Sequence, residues 1–319
     1  MIRKQKYIVS STNLDSQGYM MMKSALDSML PQLNGKRKPR LGLEHIRTFP
    51  PFGAISNGEV FQGEDKQYYL SAEMMYFDKQ EFITLDDGTQ FVKEYFSEGE
   101  YPFIECEETE ATKLSIATDP ANFEKLNEHK EIYELVKQES DLEFDTSEFG
   151  RKSQLPDPET VITITTILAT TLGIIKSKVT EKLGDAIGED LAKFYKLISK
   201  LAVETIKKAK PSNRPKNFVI SYPNPECNIE LVITTHKADK VLNSLKDEKL
   251  KIIAEKVEQL KNFDAEKIQF TFNDNDIWEF NYLLTKTGAV IGTIKSFNKR
   301  NELYNKILEK QNNEEKGSS

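Results

Sequence analysis

Apolar positions are spaced differently in successive parts of the chain, and that spacing predicts its elements. Near the start, 6–10 alternates as an edge-like strand, while Met22, Leu26, Met29 and Leu30 recur at helical spacing over 19–33. Residues 59–77 read as two strands broken at Gly63-Glu64-Asp65. A charged helix follows over 122–138, with Phe123, Leu126, Ile132, Leu135 and Val136 as its apolar side. Periodicity then disappears over 139–157, which reads as a linker.

From Pro158 onward Val161, Ile164, Leu168, Leu172, Ile175, Val179, Leu183, Ile187, Leu191, Phe194, Ile198 and Leu201 follow at steps of three or four. That is one stripe on helices, and Gly184 and Gly188 in its middle suggest a central helical hairpin over 158–210. Pro211 and Pro215 end it. The remainder reads strand, strand or loop, helix, strand, strand, strand: 217–222, 229–235, 238–261, 268–273, 278–285 and 290–295. Lys286-Thr287-Gly288 separates the last two as a tight hairpin, and the C-terminal tail reads as polar and frayed. The expected class is α+β: a β-rich domain over 1–138, the linker, the helical segment, and a small C-terminal α+β sandwich over 216–310.

Composition narrows the function classes. Over 319 residues, hydrophobic positions make up 38% and charged ones 30%, enough apolar mass for packed cores. The net charge of -7 disfavours a phosphate surface, so no nucleic acid is expected. Cys106 and Cys227 lie far apart, and with three histidines in all they suggest no disulfide framework, metal or other cofactor. The start, MIRKQKYIVSST, lacks the apolar core of a secretory signal, which leaves a cytoplasmic location as the expectation.

Four segments come in an informative order: LGLEHIRTFPPFGAI, YYLSAEMMYF, FSEGEYPFIECEE and ATKLSIATDPANF, all within 41–123. In this order they resemble the maturation proteases of tailed-phage proheads, over the first ~125 residues only. The resemblance implies a barrel-like, protease-type domain in which a histidine accepts the proton of a serine nucleophile and a carboxylate orients the ring. His45 matches the family histidine. On the strand where the family carries its serine, this chain offers Glu105 or Cys106; Ser115 is the other hydroxyl near the motif, and Lys113 stands where an acidic residue is often found. The catalytic set implied is thus His45 with Cys106 or Ser115, and it is degenerate.

Each candidate has a plainer reading. His45 fits a turn histidine, Cys106 a small half-buried hydrophobe, and Glu44, Glu105, Glu107 and Glu108 a solvated strand edge. His129 and His236 lie in polar surroundings and are expected to be exposed. Residues 160–175 carry no charge but fall short of the ~20 residues needed to span a bilayer. A face of Ile164, Leu168, Leu172 and Ile175 is expected to bury against another domain or protomer, or to meet a membrane through 160–183 on activation, with lysines at 176, 178 and 182 toward solvent. The function expected first is a protein-binding or sensing component, of the kind found in bacterial anti-phage defence, whose partner is a phage or host protein or a second copy. An endopeptidase using His45 and a membrane-disrupting effector acting through 158–210 stand beside it.

Overall fold

In the computed structural model, residues 3–14, 20–85, 87–106, 110–125, 127–149, 158–175 and 184–317 are described, without the side chains of 3, 106, 184–187 and 311–317. The chain forms two compact units. The first comprises Met1–Leu43, Phe49–Glu107 and Leu284–Ser319, and the second Glu44–Thr48 and Glu108–Leu283. Among the described residues there are seven α-helices and fourteen strands, a mixed α+β class with one curled sheet.

The first unit opens with β1 (Arg3–Ser11), α1 (Lys23–Asn34), β2 (Arg40–Leu41), β3 (Gly53–Gln62), β4 (Tyr68–Tyr76), β5 (Lys79–Thr84) and β6 (Gln90–Tyr95). The curled sheet has the order β1-β4-β3-β2, antiparallel throughout. Its pairing shifts register between Ile8 and Ser10 and between Ser56 and Glu59; such bulges bend the strand that carries them, which accounts for the curl. α1 lays Leu26 and Leu33 on Leu70 and Ala72 of one face, with Val9, Ile55 and Val60 around them. Each fully buried leucine contributes roughly 1.5–3 kcal/mol.

The second unit contains β7 (Ser115–Thr118), α2 (Glu128–Ser140), β8 (Asp145–Glu148), β9 (Glu159–Thr163), α3 (Thr166–Thr171), α4 (Gly184–Lys208), β10 (Lys216–Tyr222), β11 (Asn228–Thr235), α5 (Ala238–Ser244), α6 (Asp247–Leu260), β12 (Ala265–Phe272) and β13 (Trp278–Thr285), whose last two residues return the chain to the first unit. There β14 (Val290–Thr293) pairs with β6 and runs into α7 (Ile294–Gly317).

Strands of the second unit lie in the order β13-β12-β11-β10-β9-β7-β8. Three of its pairs are parallel: β7 with β8, β9 with β10, and β11 with β12. Parallel neighbours cannot be joined by a tight turn, and helices supply each crossover: α2, then α3 and α4, then α5 and α6. One face of the central strands is apolar, with Phe218, Ile220, Ile229, Leu231, Ile268 and Phe270 all buried. α5 packs on β11 and α6 on β12.

Several sequence expectations meet a different structure. The range 1–138 is shared between the two units instead of forming one of them. Pro158 precedes a strand, β9, instead of a helix; Glu-Thr-Val-Ile-Thr is β-branched at four of five positions, and its ladder with β10 outweighs the helical spacing of its apolar residues. Helix begins only at α3, where the Thr165 hydroxyl accepts from the Leu168 N–H at 3.4 Å, and Gly173 at φ 71 follows its end. Gly188 breaks nothing: α4 runs without interruption from Gly184 through it, while residues 176–183, just before that helix, lie outside the described residues, as do 150–157 of the expected linker. The tail read as frayed is helical in its backbone to Gly317.

Candidate functional site: a buried charge network on the polar face of the second sheet

The opposite face carries polar side chains toward its ends, on either side of a row formed by Val161, Val219 and Val232. Ser221 of β10 stands beside Glu230 of β11, which stands beside Gln269 of β12, and Asn217 of β10 stands beside Glu159 of β9. Residues directly across a ladder share a face, so these side chains and Lys267 form one polar surface. It is buried: Glu159 is 2% exposed, Glu230 and Lys267 4% each, and Gln269 0%. Ionised groups removed from water to this degree persist only when paired and hydrogen-bonded.

The pairing comes from Arg47, in the short segment Glu44–Thr48 that the contacts assign to this unit. Its Nε and Nη2 donate to the two oxygens of Glu159 at 3.0 and 2.9 Å, and its Nη1 donates to Glu230 at 2.5 Å. Lys267 adds a second cation on Glu230 at 2.8 Å, and the Gln269 amide donates to the other Glu230 oxygen at 2.9 Å. Two carboxylates thus face one guanidinium and one ammonium. Burial would raise the Glu230 carboxyl, but the fields of Lys267 and Arg47 and the bonds from Lys267 and Gln269 outweigh it and hold it well below the usual carboxylate range.

The main chain of the same segment is held as well. The Arg47 carbonyl accepts from Gln269 Nε2 at 3.1 Å and from the Tyr282 hydroxyl at 3.0 Å, and the Thr48 carbonyl accepts from Asn281 Nδ2 at 2.7 Å. Just upstream, Glu44 (φ 48) and His45 (φ 57) are consecutive left-handed residues, a conformation that costs an L-residue roughly 1–2 kcal/mol.

His45 is therefore a turn residue with an exposed side chain. Ser115 opens β7, half-buried, opposite Thr163 and Asp145, and no hydrogen bond joins it to His45. Cys106 ends a short 3-10 turn, Ile104–Cys106, in the first unit, and its side chain is outside the described residues, as are Glu107 and Glu108. Glu105 is paired with Arg40 at 2.8 Å. The DPANF motif has a local role: the Asp119 carboxylate accepts from the Ala121 N–H at 3.0 Å and caps the turn Pro120–Asn122.

Of the expected interaction face, Ile164 (0% exposed) and Leu172 (2%) are buried in the second unit, and Leu168 and Ile175 are half-buried. The four do not lie on one helix, since only Leu168 falls within α3. Among the described residues no helix is long and apolar enough to cross a membrane. His236 is exposed, but His129 is buried, with Nε2 bonded to Glu148 at 2.9 Å; helix α2 turns it inward beside Phe123 and Tyr133. No group of His, Cys, Asp and Glu among the described residues is arranged to hold a metal.

Compared with family models, curated proteins and solved structures, the chain matches none. No local sequence pattern marks the Arg47, Glu159, Glu230 and Lys267 network, whose members are far apart along the chain. One signal lies in the residues: Glu230 interrupts an otherwise apolar IELVI, and Gln269 lies between Ile268 and Phe270, so each strand buries a polar residue among apolar ones.

Proposed function

We propose that the chain is a protein-binding or sensing component that captures an extended strand of its partner on the open edge of β1. The supporting observation is that β1, nine residues long, pairs among the described residues only with β4 and lies at the end of its sheet. A strand edge of that length presents unpaired main-chain donors and acceptors, the chemistry by which sheets add a strand from another chain. Tyr7 (43%) and Ile8 (58%) are exposed there on successive positions, offering one apolar anchor to each face of an added strand. Catalysis has less support, because the carboxylates of the buried network are paired with Arg47 and Lys267 and because His45 and Ser115 are not bonded to one another.

The partner can be a phage or host protein or a second copy of the chain, and the order of motifs in 41–123 makes phage head proteins the first to try. A photo-reactive residue in place of Ile8, with exposed Ile252 of α6 as the reference position, tests this in cells with and without infection. The expected outcome is a discrete adduct at position 8 that a Tyr7→Asp change removes, its mass identifying the partner or a dimer. An adduct pattern at position 8 no different from that at position 252 ends the proposal.

A further inference from the structure

The segment Glu44–Thr48 is gripped by the second sheet in the manner of a bound peptide. Glu159 takes the Arg47 guanidinium side-on through two bonds and Glu230 takes it end-on, which is the fork geometry that distinguishes arginine from lysine. Gln269, Tyr282 and Asn281 take two successive carbonyls, those of Arg47 and Thr48. Together they read an arginine and the peptide unit after it. All five reading residues are more than nine-tenths buried, Asn281 being the most exposed at 8%. The segment itself is turn and loop, reached through the left-handed pair Glu44 and His45, so it is held against a local conformational cost.

We propose that this polar face is an arginyl-peptide site whose resident occupant is the chain's own Arg47-Thr48, and that an arginine-bearing peptide from another molecule can replace it. A peptide supplied from solution does not carry the left-handed pair. The resident has the advantage of tethering, which is equivalent to a millimolar local concentration, so a minimal peptide competes only in the millimolar range. This inference is independent of the β1 edge, since none of its contacts involves that strand.

The test uses the full-length chain with two probes: N-acetyl-arginyl-threonine amide and its citrulline analogue, which has nearly the same shape and no charge. In Arg47→Ala, the arginyl probe is expected to raise the thermal midpoint saturably and the citrulline probe to leave it unmoved. If Arg47→Ala does not fold alone, refolding from urea with each probe gives the same discrimination, with folded chain recovered only alongside the arginyl probe. In the wild type, the arginyl probe is expected to increase hydrogen exchange of the amides in 44–48, saturating in the millimolar range. Equal responses to the two probes, no response of the variant, or wild-type exchange in 44–48 unchanged at tens of millimolar would each overturn the proposal.

Discussion

Lys267 and Glu230 meet at 2.8 Å although they are not partners in the ladder that joins their strands: Lys267 stands across from Asn228, and Glu230 across from Gln269. The lysine stem reaches one step along the strand to place its ammonium on the carboxylate, leaving the directly opposed Gln269 to bond the other oxygen at 2.9 Å. Two cations can then share one buried carboxylate, with Arg47 on the same oxygen as Lys267.

Removing one cation should expose the cost of the arrangement. Lys267→Met takes one of its two cations from Glu230 and is expected to destabilise the chain by about 3–5 kcal/mol, the usual penalty for breaking a buried pair. The double change Lys267→Met with Glu230→Met removes both charges and should recover most of that loss, as read from urea unfolding midpoints. A double variant no more stable than the single one would mean that the charge balance described above is not what holds these strands.

Acid should act through the same residue. Because the folded Glu230 carboxyl lies below its ordinary value of 4.5, its contribution is fully present above that pH and is lost as pH falls from about 4.5 toward the folded value. Between pH 7 and pH 3 the wild-type thermal midpoint should therefore fall more steeply than that of Glu230→Gln, which starts lower but has no carboxylate to protonate. Parallel curves would contradict the assignment.

Two glycines with the same backbone sign should respond differently. Gly288 (φ +85) has the Tyr101 carbonyl oxygen 2.1 Å from where a Cβ would stand, whereas Gly88 (φ +82) has nothing within 4 Å. Gly88→Ala should cost only the left-handed penalty of about 1 kcal/mol, and Gly288→Ala at least twice as much, because backbone must move to admit the methyl group. Chemical unfolding of the two variants side by side measures the difference.

In the first unit, Arg300 places a bidentate guanidinium on Glu94, both bonds at 2.9 Å, and stacks on Phe52 at 4.1 Å. Arg300→Lys keeps the charge and loses the fork and the stacked plane, so a loss of about 1–3 kcal/mol is expected in thermal unfolding. A neutral outcome would show that the ammonium alone suffices.

Much of the fold was legible in the residues. Helical spacing located α1 and α2, alternation located β1, the Gly63-Glu64-Asp65 turn located the β3–β4 hairpin, and the runs around Phe218, Ile229, Phe270 and Tyr282 located the central strands, while the single helix expected over 238–261 is two, α5 and α6. What the sequence could not decide was which distant segments share a face. Val161 and Ile164 satisfy a helical repeat and a strand equally well, and only the ladder with β10 selects the strand. Arg47 lies 112 residues from Glu159 and 183 from Glu230, so no local pattern could join them. Hydrophobic periodicity is a property of neighbours along the chain, whereas compensating a buried charge depends on whichever residue the folded chain brings within 3 Å, and here tertiary structure chose a turn arginine beside the histidine that the sequence had marked for chemistry.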